Sequence, residues 1–325
     1  MSAVERTPYI EVDGRPADGT GLRDLALSND GHLTTMQVRA GRVRGLALHL
    51  SRLDHANQEL YGTPLDAGLV RDRIRHALTA TSAAPAPPPA VTAPPTVTAP
   101  DETGQAAGAG RVAGVPAGGV DATVRVVVFP TGEAGAVSVL VSVGRPAEPA
   151  TAPLRLCSLP YQRPFAHLKH LGTFGQLHGG RLARRRGFDD ALLVTADGRV
   201  CETTVATIGF VAAPARHRPA DPATVIWPEA PSLCGVTMTL LDDQLRATAL
   251  TSASASVSGT GPPTVAGTRR EPVRLAEVGG FHTVFVANAR GLAAVERIDD
   301  TLVPPDPEVM AALRRLHAAV PWDEI

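Results

Sequence analysis

The chain has 325 residues, 44% of them hydrophobic and 19% charged, which supplies enough apolar content for a packed core and excludes wholesale disorder. Its formal net charge is −1, so neither nucleic acid nor an anionic membrane surface is indicated as a partner. The three cysteines, Cys157, Cys201 and Cys234, are scattered with no CxxC spacing and imply neither a disulfide framework nor a zinc site.

At the N-terminus, MSAVERTPYIEVDG has no apolar run behind a positive start, which is not the pattern of a signal peptide. No stretch reaches the roughly 18 apolar residues of a membrane span, so a cytoplasmic, soluble protein is expected. Residues 9–12 form a short strand that ends at the Asp13-Gly14 turn. Residues 33–39 and 42–44 flank Ala40-Gly41 as a hairpin, since glycine admits the positive φ of a tight turn. The spacing of Leu46, Leu50, Leu53, Leu60 and Tyr61 predicts a helix over 46–61, stopped by Gly62. A second helix covers 69–78. Residues 81–119 are almost entirely Ala, Pro, Gly and Thr, too poor in large apolar side chains to offset their ordering entropy, and are expected to be a disordered insertion. Residues 124–129 and 137–143 are rich in β-branched side chains and predict strands.

A Pro- and Ala-rich stretch at 148–153 divides a small lobe, 1–147, from a larger one, 154–325. Beyond it the pattern predicts a strand at 154–159, a helix at 174–186 ending at Gly187, and a hairpin of 191–195 and 199–201 around Asp197-Gly198. Strands follow at 207–211 and 224–226, then a helix at 236–245 after Gly235. Residues 251–268 form a second low-complexity loop, followed by a strand at 283–287 and a closing helix at 307–317 with Pro307 in its first turn. Both lobes mix sheet and helix, so the fold class is α+β in two lobes with a crevice between them.

Lys169, in QRPFAHLKHLGTFG, is the only lysine of the chain. Arginine keeps its proton at neutral pH, whereas a desolvated lysine loses it and forms Schiff bases with carbonyls. A reactive role competes here with a structural ion pair or a surface position. Glu202 follows the Asp197-Gly198 turn; it is either a solvated carboxylate at a strand end or an anion for a pyridinium nitrogen. In PSLCGVTMTLL, Thr237 stands at a helix start, where N–H groups and a hydroxyl suit a phosphate but also make an ordinary capped helix. Arg52, in LHLSRLDHA, is a surface helix arginine or the guanidinium opposing that phosphate. His167 and His170 flank Lys169 in positioning or packing roles, and the run Arg184-Arg185-Arg186 is a solvated helix face. GxSxG, P-loop, HExxH and strand-associated GxGxxG patterns do not occur.

Taken together and in this order, these segments resemble the class IV aminotransferases, the fold type IV pyridoxal-phosphate enzymes that include branched-chain and D-amino-acid aminotransferases and aminodeoxychorismate lyases. HLSRL resembles the family's HxxRL helix and implies that Arg52 binds the cofactor phosphate. LKHLGTFGQLHGGRLARRRGFDDALLVTADGRVCETT resembles the core signature, which implies that Lys169 forms the Schiff base and Glu202 holds the pyridine nitrogen. LCGVT resembles LPGIT and implies phosphate contacts from Val236 and Thr237, while FVANARGLAAVERID resembles a late strand-and-turn segment near phosphate and substrate. Arg125, opening VRVVVF, aligns with an arginine that some relatives use for the substrate carboxylate, or is a solvent-facing strand arginine.

The sequence departs from the family pattern at Phe174 in place of Tyr, Thr207 in place of Asn, Ala289 in place of Ser or Thr, and Cys234 in place of Pro. These changes leave the lysine–glutamate–arginine set itself in place. The resemblance implies a small N-terminal lobe, a C-terminal β-barrel-like lobe with helices, pyridoxal 5'-phosphate as cofactor, and a homodimer. It also implies amino transfer between an amino acid and a 2-oxo acid. An aminodeoxychorismate-type lyase is the alternative. A pyridoxal-phosphate-binding protein of little activity is a further one, motivated by Phe174, Thr207 and Ala289.

Overall fold

Two sheets carry the fold, and their strands separate cleanly along the chain. The computed structural model describes residues 8–83, 119–132, 135–212, 223–254 and 265–325. Within these, β1 (Tyr9–Val12), β2 (Arg15–Pro16), β3 (His32–Val38), β5 (Ala122–Pro130) and β6 (Val137–Gly144) make an antiparallel five-stranded sheet in the order β2-β1-β6-β5-β3. Helices α1 (Gly19–Ser28), α2 (Leu46–Tyr61) and α3 (Ala67–Ala83) belong to the same part of the chain. The short β4 (Arg42–Val43) turns back at Ala40-Gly41, where both residues have positive φ, and pairs with the C-terminal β16 (Asp323–Glu324).

The second sheet has nine strands among the described residues: β7 (Leu154–Pro160), β8 (Asp190–Val194), β9 (Val200–Thr203), β10 (Thr207–Ala212), β11 (Ala223–Pro228), β12 (Val265–Glu271), β13 (Thr283–Asn288), β14 (Gly291–Ile298) and β15 (Thr301–Leu302). The order is β12-β11-β10-β13-β14-β7-β8-β9, with β15 paired to β14. Strand β9, at one end of this path, runs into β10 through the Thr203–Ala206 turn, whose Thr203 N–H donates to the Ala206 carbonyl. The sheet must therefore curl to bring its end back toward β10. Helices α4 (Phe174–Arg185), α5 (Val236–Ser254) and α6 (Pro307–Ala318), with the 3-10 turn Leu275–Gly280, complete this part. The architecture is the mixed α+β arrangement expected, with a large curled sheet in the second half.

Burial explains the sequence pattern. Leu46, Leu50 and Leu53 of α2 pack with Val70 and Ile74 of α3 against Val124, Val126, Val141 and Val143 of the first sheet. Each such side chain contributes about 1.5–3 kcal/mol when removed from water. In the second sheet the middle of β13, Val284 to Ala287, is apolar on both faces because both are covered. Val284 and Val286 enter the inner core, whereas Phe285 and Ala287 meet α5 and α6.

Helix α2 matches the expected bounds and ends at Gly62 in the left-handed region, its N–H donating to the Gln58 carbonyl. The expected low-complexity loop at 251–268 needs correction where it is described. Helix α5 runs on to Ser254 and β12 begins at Val265, leaving only 255–264 outside the described residues. Likewise α3 extends to Ala83, and residues 84–118 of the expected insertion lie outside the described residues. Sequence reasoning also missed α1, β12 and β14 as separate elements. No helix among the described residues is long and apolar enough to cross a membrane.

Candidate active site

Between the two sheets lies a cavity of about 390 Å³ whose walls include Arg52, Arg125, Lys169, Glu202, Val236 and Thr237. These six residues come from α2, β5, the segment between β7 and α4, β9, and the start of α5. The fold thus brings together side chains from opposite ends of the sequence. Two of the divergent positions, Thr207 and Ala289, also line it, and Cys234 stands between two of its lining residues, Leu233 and Gly235. Phe174 does not; it is 72% exposed and stacked on His178.

The Lys169 segment is irregular but tethered. Its carbonyl accepts from Leu33 N–H at 2.8 Å, and Leu171 N–H donates to Gly31 O at 2.9 Å, which ties the segment to the entry of β3. From the other side, Arg163 donates to Leu168 O at 3.1 Å and to Ala166 O at 2.7 Å. His167 reaches Glu59 of α2 at 2.8 Å and His170 meets Pro164 O at 2.9 Å, so both histidines position the segment. Lys169 itself is half-buried. Burial, reinforced by Arg52, Arg163 and Arg125 and opposed by Glu202, brings its pKa down to about 8.

Glu202 is 7% exposed and Arg163 4% exposed. Arg163 Nε lies 3.2 Å from Glu202 Oε1 as an ion pair, yet the alignment is not that of a hydrogen bond, and both atoms are sealed without a hydrogen-bonding partner. The other carboxylate oxygen accepts from Leu233 N–H at 3.2 Å. Burial raises the Glu202 carboxyl, and the pull of Arg163, the Leu233 N–H and Lys169 only partly offsets it. Glu202 therefore lines the cavity with Oε1 sealed against Arg163.

The start of α5 makes a third feature. Arg52 Nη2 donates to Cys234 O at 2.7 Å, holding the guanidinium beside the helix N-terminus. Gly235 stands just before the helix, and a Cβ there would lie 2.7 Å from Thr207 Oγ1, so only a bare backbone fits. The Thr237 hydroxyl donates to Asn288 O at 2.7 Å, so its proton is committed to the β13–β14 turn and the backbone N–H groups are what face outward. Arg163 and His49 are the functional-looking residues that sequence reasoning missed or left unused, and Gln176, buried in the same wall with Oε1 unpartnered, is a third. Nothing in the sequence distinguishes Arg163 from the other arginines, since Arg15, Arg145 and Arg218 also precede a proline.

A curled α+β sheet protein with a lysine, a buried carboxylate and an arginine beside a helix start around one crevice points to a class of cofactor enzyme, and comparison with known proteins identifies the family. The family described as amino-transferase class IV matches residues 31–257, and the chain belongs to it. The fold is similar to that of a hypothetical aminotransferase from Mycobacterium tuberculosis in a PLP-bound form, at 17% identity and a TM-score of 0.67 over 96% of this chain and 98% of that one. The M. tuberculosis aminotransferase is also known in an alpha-ketoglutarate and PMP bound form. A putative 4-amino-4-deoxychorismate lyase from Legionella pneumophila is similar at 15% identity and a TM-score of 0.66, over 94% and 96% of the two chains. The branched-chain amino acid aminotransferase of Escherichia coli is similar at 14% identity and a TM-score of 0.64, over 97% and 95%. No curated protein matches the chain.

Proposed function

We propose that the protein is a pyridoxal-phosphate-dependent aminotransferase that moves an amino group from an amino acid to a 2-oxo acid, with Lys169 as its catalytic and cofactor-bearing residue. The observation that carries this reading is the meeting, in one cavity, of a lysine with a destabilised ammonium and a carboxylate backed by a buried arginine. A pyridoxal ring needs both: an amine for its aldehyde and an anion for its ring N–H. The bare backbone at Gly235 beside Arg52 fits the third requirement, a cradle for phosphate.

When bound, pyridoxal phosphate supplies an electron sink that stabilises the charge left when a substrate Cα loses its proton. The chain's own residues do the rest. Arg52 and the Val236 and Thr237 N–H groups would hold the phosphate, and the Glu202 carboxylate would accept the ring N–H and keep that nitrogen protonated. Arg163 holds Glu202 as an anion against the cost of burial. Lys169 Nζ would take the substrate Cα proton and deliver it to C4′ of the cofactor; a pKa of about 8 leaves roughly a tenth of the amine neutral at pH 7, close to the balance a general acid–base needs. Arg125, on the opposite wall, would take a substrate carboxylate.

Amino transfer is preferred to elimination because the M. tuberculosis neighbour binds alpha-ketoglutarate and PMP. The Legionella neighbour, of nearly equal structural similarity, keeps a lyase of the aminodeoxychorismate type as the second reading. The reading includes two lobes divided at 148–153, a homodimer and a cytoplasmic location. The test is a visible spectrum of the protein with pyridoxal phosphate before and after borohydride, followed by peptide mapping. Reduced cofactor on Lys169 is expected; its absence, or attachment elsewhere, overturns the proposal. Release of pyruvate from aminodeoxychorismate without amino transfer would favour the lyase.

A further inference from the structure

The helix that carries Arg52 carries a second polar group aimed at the same place. His49 lies three residues before Arg52 on α2, so the two side chains share a helix face. It is 4% exposed, yet it lines the cavity with Arg52, Val236 and Thr237. It also lines the smaller adjoining cavity that shares Val236, Thr237 and Ala289 with the first. Its Nδ1 lies 2.6 Å from Thr34 Oγ1.

That contact determines the tautomer. Thr34 is fully buried on β3, and its hydroxyl meets no other hydrogen-bonding group among the described residues. A hydroxyl has one proton to give, and a buried donor left unbonded is costly. Thr34 therefore donates to Nδ1, and the single proton of the neutral ring stands on Nε2. Nε2 has no protein partner among the described residues and is not sealed away from the cavity.

We propose that His49 is a neutral hydrogen-bond donor of the anion site, giving its Nε2–H to the phosphate group that Arg52 and the start of α5 would hold, and that Thr34 is the positioning residue fixing its tautomer. The inference rests on the reading of this cavity as a pyridoxal-phosphate site. The electrostatics fit it: burial, with Arg52 and Lys169 nearby, brings the His49 pKa down to about 3. A further positive charge beside those two cations is thereby avoided, while a directed N–H remains. The same neutrality removes His49 from proton transfer near pH 7.

The test compares binding of pyridoxal 5'-phosphate and of pyridoxal, which lacks the phosphate, by absorbance titration. For the wild-type protein pyridoxal phosphate binds more tightly, and the ratio of the two dissociation constants measures the phosphate site. H49L loses about tenfold of that ratio, the size of one hydrogen bond to a charged group. H49Q, whose amide nitrogen can stand where Nε2 stood, keeps most of it. T34V lowers the ratio and T34S restores it. A wild-type ratio near one overturns the cofactor reading itself, whereas a strong wild-type preference left intact in H49L overturns only the role of His49. If the variants fail to fold, imidazole ¹⁵N spectra of the wild-type protein decide. A ring protonated on Nε2, with that proton shifted on adding pyridoxal phosphate, supports the proposal; protonation on Nδ1 overturns it.

Discussion

Replacing Arg163 by Leu tests whether the buried carboxylate is held by its partner or merely tolerated. Both groups are nearly sealed, at 4% and 7% exposure, so removing the guanidinium leaves Glu202 with the Leu233 N–H and the half-buried Lys169 as its remaining support. Breaking such a buried pair costs about 3–5 kcal/mol. Two carbonyls, Ala166 O and Leu168 O, also lose their donor, at about 1–3 kcal/mol for any left unsatisfied. The two contributions separate with pH. Burial already raises the Glu202 pKa and Arg163 lowers it, so the variant's carboxyl moves further up. A group whose folded pKa lies above its unfolded value favours folding below the unfolded pKa and opposes it as pH rises through the folded one. Urea unfolding at pH 8 should therefore show the full deficit, about 3–5 kcal/mol for the pair plus the carbonyl part, and unfolding at pH 5 a smaller one. An equal deficit at both pH values would refute the reasoning and leave Arg163 as a loop tether only.

Glu202→Gln keeps the shape of the acceptor without its charge. Pyridoxal phosphate should still be fixed to Lys169 by borohydride while amino transfer falls about a hundredfold or more; an undiminished rate would exclude the proposed role of the carboxylate. Gly235→Ala places a methyl 2.7 Å from Thr207 Oγ1 and should weaken pyridoxal phosphate binding roughly tenfold, with Thr207→Ala in the same chain restoring it. Failure of that rescue in equilibrium dialysis would show that the cradle is not what the glycine protects. Capture of pyridoxal phosphate by the apo protein requires a neutral Lys169, so its rate should rise with pH and level off past about 8; an inflection near the ordinary 10.5 would contradict the desolvated site. His49 contributes stability that is complete above its unfolded pKa of 6.5 and is lost as pH falls toward about 3, because the unfolded chain takes the proton first. At about 1.4 kcal/mol per unit the full loss approaches about 5 kcal/mol, and H49Q should flatten that part of the acid slope.

Local pattern alone determined much of this protein. The spacing of Leu46, Leu50 and Leu53 with Gly62 at the end defines α2, because helix periodicity and a left-handed terminus are properties of neighbouring residues. The hairpins at Ala40-Gly41 and Asp197-Gly198 and the valine-rich β5 and β6 are legible for the same reason. Lys169 stands out as the only lysine, and Glu202 by its place after a turn. What the tertiary structure decided depends on residues distant in sequence. Strand β12 emerges from a low-complexity stretch because β11 offers it a parallel edge. Arg163 acquires meaning only at 3.2 Å from Glu202, and His49 only through a hydroxyl on another element, β3. A side chain's charge state and its unmet hydrogen bonds depend on what surrounds it in three dimensions. Composition and periodicity could therefore nominate Lys169, whereas only packing could lower its pKa and set a carboxylate backed by Arg163 in the same cavity.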